Sequence, residues 1–446
     1  MKTIVFIGTN KSGSSYEAIK ASEQLNYYTI LLTDRKSFFD KRLNFPHVHS
    51  MRMCDLKDIN SIRSVINRIA QSRLIICAIV SFIDPYCHTA AILSHELGLK
   101  SFSENAIRVM LDKTESRESI KKTPYSPPYH IIDETMPMIS PNFNMPVVLK
   151  SPMSSASRDV HVASNKKQYQ TAFAELRKRH PNRPILVEQY IPGPQFLVET
   201  ITINSNVHIL ALVEQEIVFL DRFIVTGYQI ITDENSAFFR HLKKAIQDIV
   251  LIHGMQNGPC HLELRQIKNE WKLIEVNPRI SGGAMNLLIE TAYGINVAKE
   301  TLKAALGIEP NLKRKYKRDS FLQYIAVPIK GELIKITGQN RARNNPGIVH
   351  VHAKPKKGSI LIPPVSMGHR YAYVIGTGRS AYDAKKNAKA GASEIKFHLQ
   401  KDNTFAVNST KTIKSLIEDT SYIGIDYFID NVVEEQLSIC TGTNKV

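Results

Sequence analysis

The chain has no long apolar run. Its longest, Leu74 to Ile83, falls well short of the ~20 residues that span a bilayer, and the run in MKTIVFIG at the amino terminus is too short for a secretory leader. Cysteine is scarce: Cys54, Cys77, Cys87, Cys260 and Cys440 are odd in number and scattered. That argues against a disulfide framework or a CxxC metal site and predicts reduced, buried thiols in a cytoplasmic protein with no membrane partner. Two phosphate motifs are missing. The loop Gly8-Thr9-Asn10-Lys11-Ser12-Gly13 lacks the GxGxxG spacing and no GK[ST] follows, so neither a dinucleotide fingerprint nor a Walker loop is supported, although acidic Asp34 lies about twenty positions on. Aromatics are absent from the basic clusters that carry much of the +17 net charge, apart from Tyr316. Lys313 to Arg318, Arg341, Arg343 and Lys354 to Lys357 therefore read as a solvated face, with no nucleic acid expected, while the charge as a whole favours anionic ligands.

What is present is ordinary globular composition, 43% hydrophobic and 22% charged over 446 residues, enough for about three domains. Strands at Thr3–Ile7, Tyr28–Leu32 and Leu74–Phe82 alternate with helical stretches, which predicts a parallel α/β unit to about residue 95. A second unit begins near Ser101. Asp112-Lys113 opens a charged helix that the proline-rich Thr123 to Pro128 ends. The strand Pro146–Lys150, the hydroxyl-rich Ser151 to Asp159 and the strand Val160–Val162 suggest a flap over phosphates. A helix near Gln168 to Arg179 leads to a strand, turn and strand from Ile185 to Glu199.

The stretch Gly258 to Asn286 looks built for chemistry. Its two arms, His261 to Arg265 and Leu273 to Asn277, alternate polar and apolar residues around a turn at Lys268-Asn269-Glu270. A three-residue loop centred on Asn269 sets Glu263 opposite Glu275 and His261 opposite Asn277, with Leu262, Leu264, Ile274 and Val276 on the core face. Two facing carboxylates repel unless they share a cation, and oxygen ligands suit Mg²⁺ or Mn²⁺. Arg279 is placed to clamp a phosphoryl group, Ser281 to cap a helix, and Gly282-Gly283 to let a ligand approach backbone N–H groups. His261 either orients substrate or is a satisfied sheet histidine.

In this order the pieces resemble the ATP-grasp superfamily of carboxylate-amine ligases, and most closely the bacterial L-amino-acid ligases of the bacilysin-synthetase type. The resemblance implies a mixed α/β architecture with an α+β lid: an N-terminal parallel Rossmann-like domain (1–100), a mobile lid region (101–190), a central antiparallel-sheet catalytic domain (191–317) and a C-terminal α/β subdomain (318–400), before an extension (401–446). The subdomain is read as strands near Phe321–Pro328, Ile348–Ala353 and Tyr371–Ile375, glycine turns at Gly331 and Gly358, and a helix from Tyr382 into Phe397. The resemblance further implies ATP contacts from Lys113, Lys150, Ser157, Glu188, Tyr190, Ile191 and Gln195, metal ligands Glu263, Glu275 and Asn277, catalytic Arg279 and Lys150, and substrate contacts from Arg279, Gly282, Gly283 and His261. Two departures stand out: the lid loop has no glycine and carries Asp159 where one is common, and Gln195 replaces a ribose-binding glutamate. A substrate pocket is expected from Glu214 to Gln229 and around Met285, with Asp221 or Glu216 either selecting a cationic substrate or solvated.

The implied activity is ATP-dependent joining of two L-amino acids through an acyl phosphate, with Mg²⁺, small carboxylate or amino-acid substrates and a possible homodimer. A carboxylase acting on bicarbonate, a nicotinamide enzyme and a nucleic-acid-binding protein are the alternatives.

Overall fold

The first strands are apolar without alternation, as a parallel sheet covered on both faces requires. β1 (Lys2–Ile7), α1 (Ser14–Gln24), β2 (Tyr28–Thr33), α2 (Lys36–Asp40), β3 (Ser50–Met53), α3 (Ile59–Ala70), β4 (Ile75–Val80) and α4 (Asp84–Glu96) form a parallel sheet of order β3-β2-β1-β4 with its helices. In α3, Ile62, Val65, Ile66 and Ile69 recur at helical spacing and are buried. Asp58 caps that helix, accepting from the N–H groups of Asn60 and Ser61, an arrangement that contributes about 1 kcal/mol. The short β3, Ser-Met-Arg-Met, was beyond reach of the pattern because only Met51 is buried.

The described residues of this computed structural model are 1–139, 142–153, 159–219, 223–234, 237–364 and 367–401. Ser157, Asp221, Arg222, Cys440 and residues 402–446 of the expected extension lie outside the described residues, as do the side chains of Phe219 and Phe223.

Next come α5 (Glu104–Leu111), α6 (Lys113–Ile120), β5 (Tyr129–Ile132), β6 (Val147–Lys150), β7 (Val160–Ala163), α7 (Lys166–Arg179) and β8 (Ile185–Gln189). The strands form an antiparallel sheet of order β5-β8-β6-β7, and α7 buries Tyr169, Ala172, Phe173 and Leu176. Asp112 caps α6 through the N–H groups of Thr114 and Glu115.

The rest is organised by one eight-stranded sheet. Its elements are β9 (Gln195–Ile203), β10 (Asn206–Phe219), β11 (Phe223–Ile230), α8 (Ala237–Ile252), β12 (Gly258–Ile267), β13 (Glu270–Asn277), α9 (Met285–Tyr293), α10 (Val297–Ala305), β14 (Asp319–Ile325), β15 (Gly331–Thr337), α11 (Gln339–Asn344), β16 (Ile348–Ala353), β17 (Ile360–Leu361), β18 (Ala372–Gly378), α12 (Ala381–Glu394) and β19 (Lys396–Lys401). The order is β13-β12-β9-β10-β11-β14-β18-β16, while β17-β15-β19 makes a smaller sheet. One face of the large sheet packs Phe196, Val198, Leu262, Leu264 and Val276 against Leu242, Ile246 and Ile249 of α8. The other joins Leu197, Ala211, Val213, Tyr228 and Leu322 to α9 and α10.

Four local expectations are corrected. Gly331 opens a strand, whereas Gly358 does turn, at φ +84°. Phe397 lies in β19, because α12 ends at Glu394. Ser281 caps nothing: the following helix starts at Met285 with Ala284 at its N-cap position. Cys54, Cys87 and Cys260 are buried and free, but Cys77 is only half-buried. Among the described residues no helix is long and apolar enough to cross a membrane.

Candidate active site

The β12–β13 hairpin aligns the carboxylates by a route the pattern did not reveal. Ile267 pairs with Glu270, so the turn is only Lys268-Asn269, both at positive φ (48° and 65°), as a two-residue hairpin turn demands. That register alone would leave Glu263 facing Ile274. A bulge corrects it: Leu264 pairs with Leu273, then Glu263 with Glu275 and His261 with Asn277. Ile274 is the extra residue, half-buried, and Leu273 takes its expected place in the core.

The bulge also frees the Ile274 carbonyl, which accepts from Arg117 Nη2 at 2.8 Å and Lys150 Nζ at 3.3 Å. Both cations pair with Glu188, whose carboxylate meets Arg117 Nε and lies 2.5 Å from Lys150 Nζ. Burial alone would raise the Glu188 carboxyl, but the two cations hold it below the usual carboxylate range. Lys113, one helical turn before Arg117 on α6, places Nζ 3.4 Å from Glu275.

Across the other strands, Glu199 of β9 stands opposite His261. Its Oε1 is 2.5 Å from His261 Nδ1, and its Oε2 accepts the Ser281 N–H at 3.1 Å. His261 Nε2 is 3.6 Å from Glu263. Burial disfavours the imidazolium, yet Glu199 and Glu263 push its pKa up to about 9. Gln195 bridges the next row, donating to Glu263 at 2.6 Å and accepting from Arg265 at 3.0 Å. Arg265 in turn donates to the Ile191 carbonyl at 2.7 Å, with the Tyr190 ring beside it, and the Tyr190 N–H reaches Pro146 O at 3.0 Å. Asp159, the departure in the loop, has a clear task at its exit: buried, it binds Arg179 at 2.5 Å and His180 at 3.1 Å at the end of α7.

Beyond β13, Arg279 forms a forked pair with Asp84, the first residue of α4, through Nε and through Nη2 at 2.8 Å. Gly282 and Gly283 are exposed, and a Cβ at Gly282 would meet nothing within 4 Å. Gly283 has φ +66°, where a Cβ would lie 2.9 Å from the Tyr324 hydroxyl. Glu216, a candidate for selecting a cationic substrate, is held by Lys385 and, at 3.2 Å, Lys389 of α12.

The structure thus gathers Lys113, Lys150, Glu188, Gln195, His261, Glu263, Glu275 and Asn277 along one end of two sheets, with Arg279 and the glycines following directly. Sequence reasoning missed Arg117, Glu199 and Asp84. Arg117 had a signal, its i+4 spacing from Lys113; the partners of Glu199 and Asp84 are remote in sequence.

Residues 143–286 match the family model of the ATP-grasp domain, and residues 323–400 that of L-amino acid ligase C-terminal domain 2. The chain thus carries an ATP-grasp domain followed by an L-amino acid ligase C-terminal domain. Its relatives include a dapdiamide synthase and an L-amino acid ligase. Dapdiamide A synthase of Enterobacter agglomerans is 27% identical over 179 residues, 39% of this chain and 42% of that protein. The L-arginine-specific L-amino acid ligase of Bacillus subtilis is 19% identical over 236 residues, 51% and 56%. An uncharacterized protein of Sinorhizobium fredii is 22% identical over 401 residues, 86% of this chain and 80% of its own. The crystal structure of L-amino acid ligase from Bacillus licheniformis superposes with TM-score 0.76 at 19% identity, covering 90% of this chain and 99% of that one. The biotin carboxylase domain of Hydrogenobacter thermophilus 2-oxoglutarate carboxylase, solved with MgADP, ADP and bicarbonate, gives 0.66 at 16% identity, covering 90% and 91%.

The donor set fits a magnesium nucleotide. Among the described residues no three His, Cys, Asp or Glu side chains form a ready cage. Two facing glutamates and an amide instead leave positions for phosphate and water, as Mg²⁺ prefers. Each of Glu275, Glu188 and Glu263 has a basic partner, so cation and polyphosphate can enter by exchange of partners.

Proposed function

We propose that the chain joins two L-amino acids into a dipeptide at the expense of ATP. The observation that carries the reading is the bulge-set register that brings Glu263 opposite Glu275 beside Lys150 and ahead of Arg279. Glu263, Glu275 and Asn277 would hold the divalent cation, which would supply charge neutralisation for the polyphosphate. Lys113 and Lys150 turn from Glu275 and Glu188 to the phosphates, and Glu188, Tyr190 and Ile191 line the adenine side, with Gln195 beside the ribose. A donor carboxylate oxygen attacks the γ-phosphorus, the bond to ADP breaks, and Lys150 and Arg279 steady the transferring group as fixed cations. The amine lone pair of the second amino acid then forms the C–N bond. The acyl C–O bond breaks, inorganic phosphate leaves with its electron pair, and the amine proton passes to solvent. Arg279 and the N–H groups at Gly282-Gly283 face the developing oxyanion, and closure of the 101–190 region keeps water out.

One observation favours a second reading, activation of bicarbonate: the shared fold of the carboxylase domain solved with that anion. We also place the enzyme in the cytoplasm, as a homodimer. The test is release of ADP and phosphate from Mg-ATP with the twenty amino acids, singly and in pairs, with bicarbonate alone as a control. Turnover that requires amino acids, yields a dipeptide mass and disappears in Glu275→Gln is expected. Turnover with bicarbonate alone overturns the ligase reading in favour of the second.

A further inference from the structure

The reaction above leaves one charge to be matched. The amino acid that supplies the amine keeps its α-carboxylate throughout, and a positioned carboxylate calls for a fixed cation. Arg279 is committed to Asp84 and to the reacting end. A second guanidinium stands nearby. Arg370, just before β18, is 7% exposed, lies over the Tyr324 ring at 3.7 Å and donates to the Tyr228 hydroxyl at 3.3 Å. Its Nη2 is 3.8 Å from the point a Cβ on Gly283 would occupy, and the Tyr324 hydroxyl accepts from the Ala284 N–H at 3.5 Å. Arg370 therefore borders the exposed glycine pair, next to the open space at Gly282.

A separate observation points to a ligand here. Gln215 of β10 pairs across the ladder with Tyr228 and so shares its face. It is 8% exposed, and its Oε1 is buried with no hydrogen-bond partner among the described residues. A buried acceptor of this kind ordinarily has a donor when the site is filled. Stacking on Tyr324 fixes the plane of the guanidinium, as specific carboxylate recognition needs.

We propose that Arg370 and Gln215 form the subsite for the amine-donating amino acid, the guanidinium taking its α-carboxylate and the Gln215 carbonyl an N–H of its amine. The inference rests on the dipeptide reading and gives residues 323–400 a part in substrate selection. The amine is thereby presented at Gly283, beside the carbonyl to be attacked.

The experiment compares, in the full-length enzyme, the amino acid that serves best as acceptor with its primary carboxamide. The readout is dipeptide or dipeptide amide by mass, at saturating donor and Mg-ATP. Wild type should favour the free acid, and Arg370→Gln should raise the KM of the acid about 10- to 100-fold, the loss of one charge-assisted contact, while moving the amide and the donor less than about threefold. Arg370→Lys, which keeps the charge, should recover part of the preference, and it decides the matter alone if Arg370→Gln fails to fold. Equal loss of acid and amide, or an unchanged preference, overturns the subsite. Absence of any amino-acid-dependent turnover in wild type is the distinct result that removes the ligase reading itself.

Discussion

Replacing Glu188 by glutamine removes one charge from a buried three-member cluster and leaves its shape. The side chains of Glu188, Arg117 and Lys150 are 4%, 3% and 7% exposed, so the two cations left behind have little water to turn to. Removing one partner of a buried ion pair costs about 3–5 kcal/mol, and the amide still accepts a hydrogen bond, so about 3 kcal/mol is expected. The exposed pair Arg63–Glu96 is the internal reference: Glu96→Gln should cost less than about 1 kcal/mol. The single tryptophan, Trp271, buried in β13 against Phe196 and Phe238, reports unfolding of the relevant core by fluorescence in urea. The Glu188 carboxyl is held below its ordinary value of 4.5 in the folded state, so its contribution is complete above that pH and is lost as pH falls through the lower folded value. The gap between wild type and Glu188→Gln should thus be constant from about pH 6 to 8 and close under acid. Adding Lys150→Met to the variant should restore stability by removing one stranded cation. A cost no larger than that of Glu96→Gln, or a gap that widens in acid, refutes the reasoning.

Asp84→Ala frees Arg279 from its fork, and ADP release should fall about 10- to 100-fold in kcat because the cation is no longer held at the reacting end; an unchanged kcat shows that Asp84 does not position it. Gly283→Ala places a side chain at φ +66° against the Tyr324 hydroxyl, and should cost about 1–2 kcal/mol in urea while lowering kcat/KM at least tenfold in the same assay.

The faces of the hairpin were legible because period-2 alternation survives local irregularity: Leu262, Leu264 and Val276 are buried where expected. How the register arises was not, since a three-residue loop and a tight turn plus bulge place Glu263 and Glu275 alike. The parallel sheet at the amino terminus and Lys113 behind the Asp112 cap were equally readable from local chemistry. In the sequence Glu199 is only the last residue of the Ile185 to Glu199 segment. Its function as a bridge from His261 to the Ser281 N–H depends on β9 and β12 being neighbours, which no nearby residue encodes. Arg370 and Asp84 are of the same kind, single charges whose partners come from elsewhere in the chain. Gln195 reads as a ribose contact by resemblance, and in the structure it ties Arg265 to Glu263.

The extra residue at Ile274 makes β13 behave like a reading frame. Flattening the bulge while keeping the Lys268-Asn269 turn would set Ile274 opposite Glu263 and carry Glu275 and Asn277 to the other side of the sheet, into the packing against α8, whereas deleting Ile274 outright would leave Glu275 opposite Glu263. An even-numbered insertion at the exposed tip, by contrast, would lengthen the ribbon without changing which side chains face the site. The two glutamates therefore keep their pairing when Ile274 is lost or the tip is lengthened in pairs, and lose it when Ile274 is kept without its bulge.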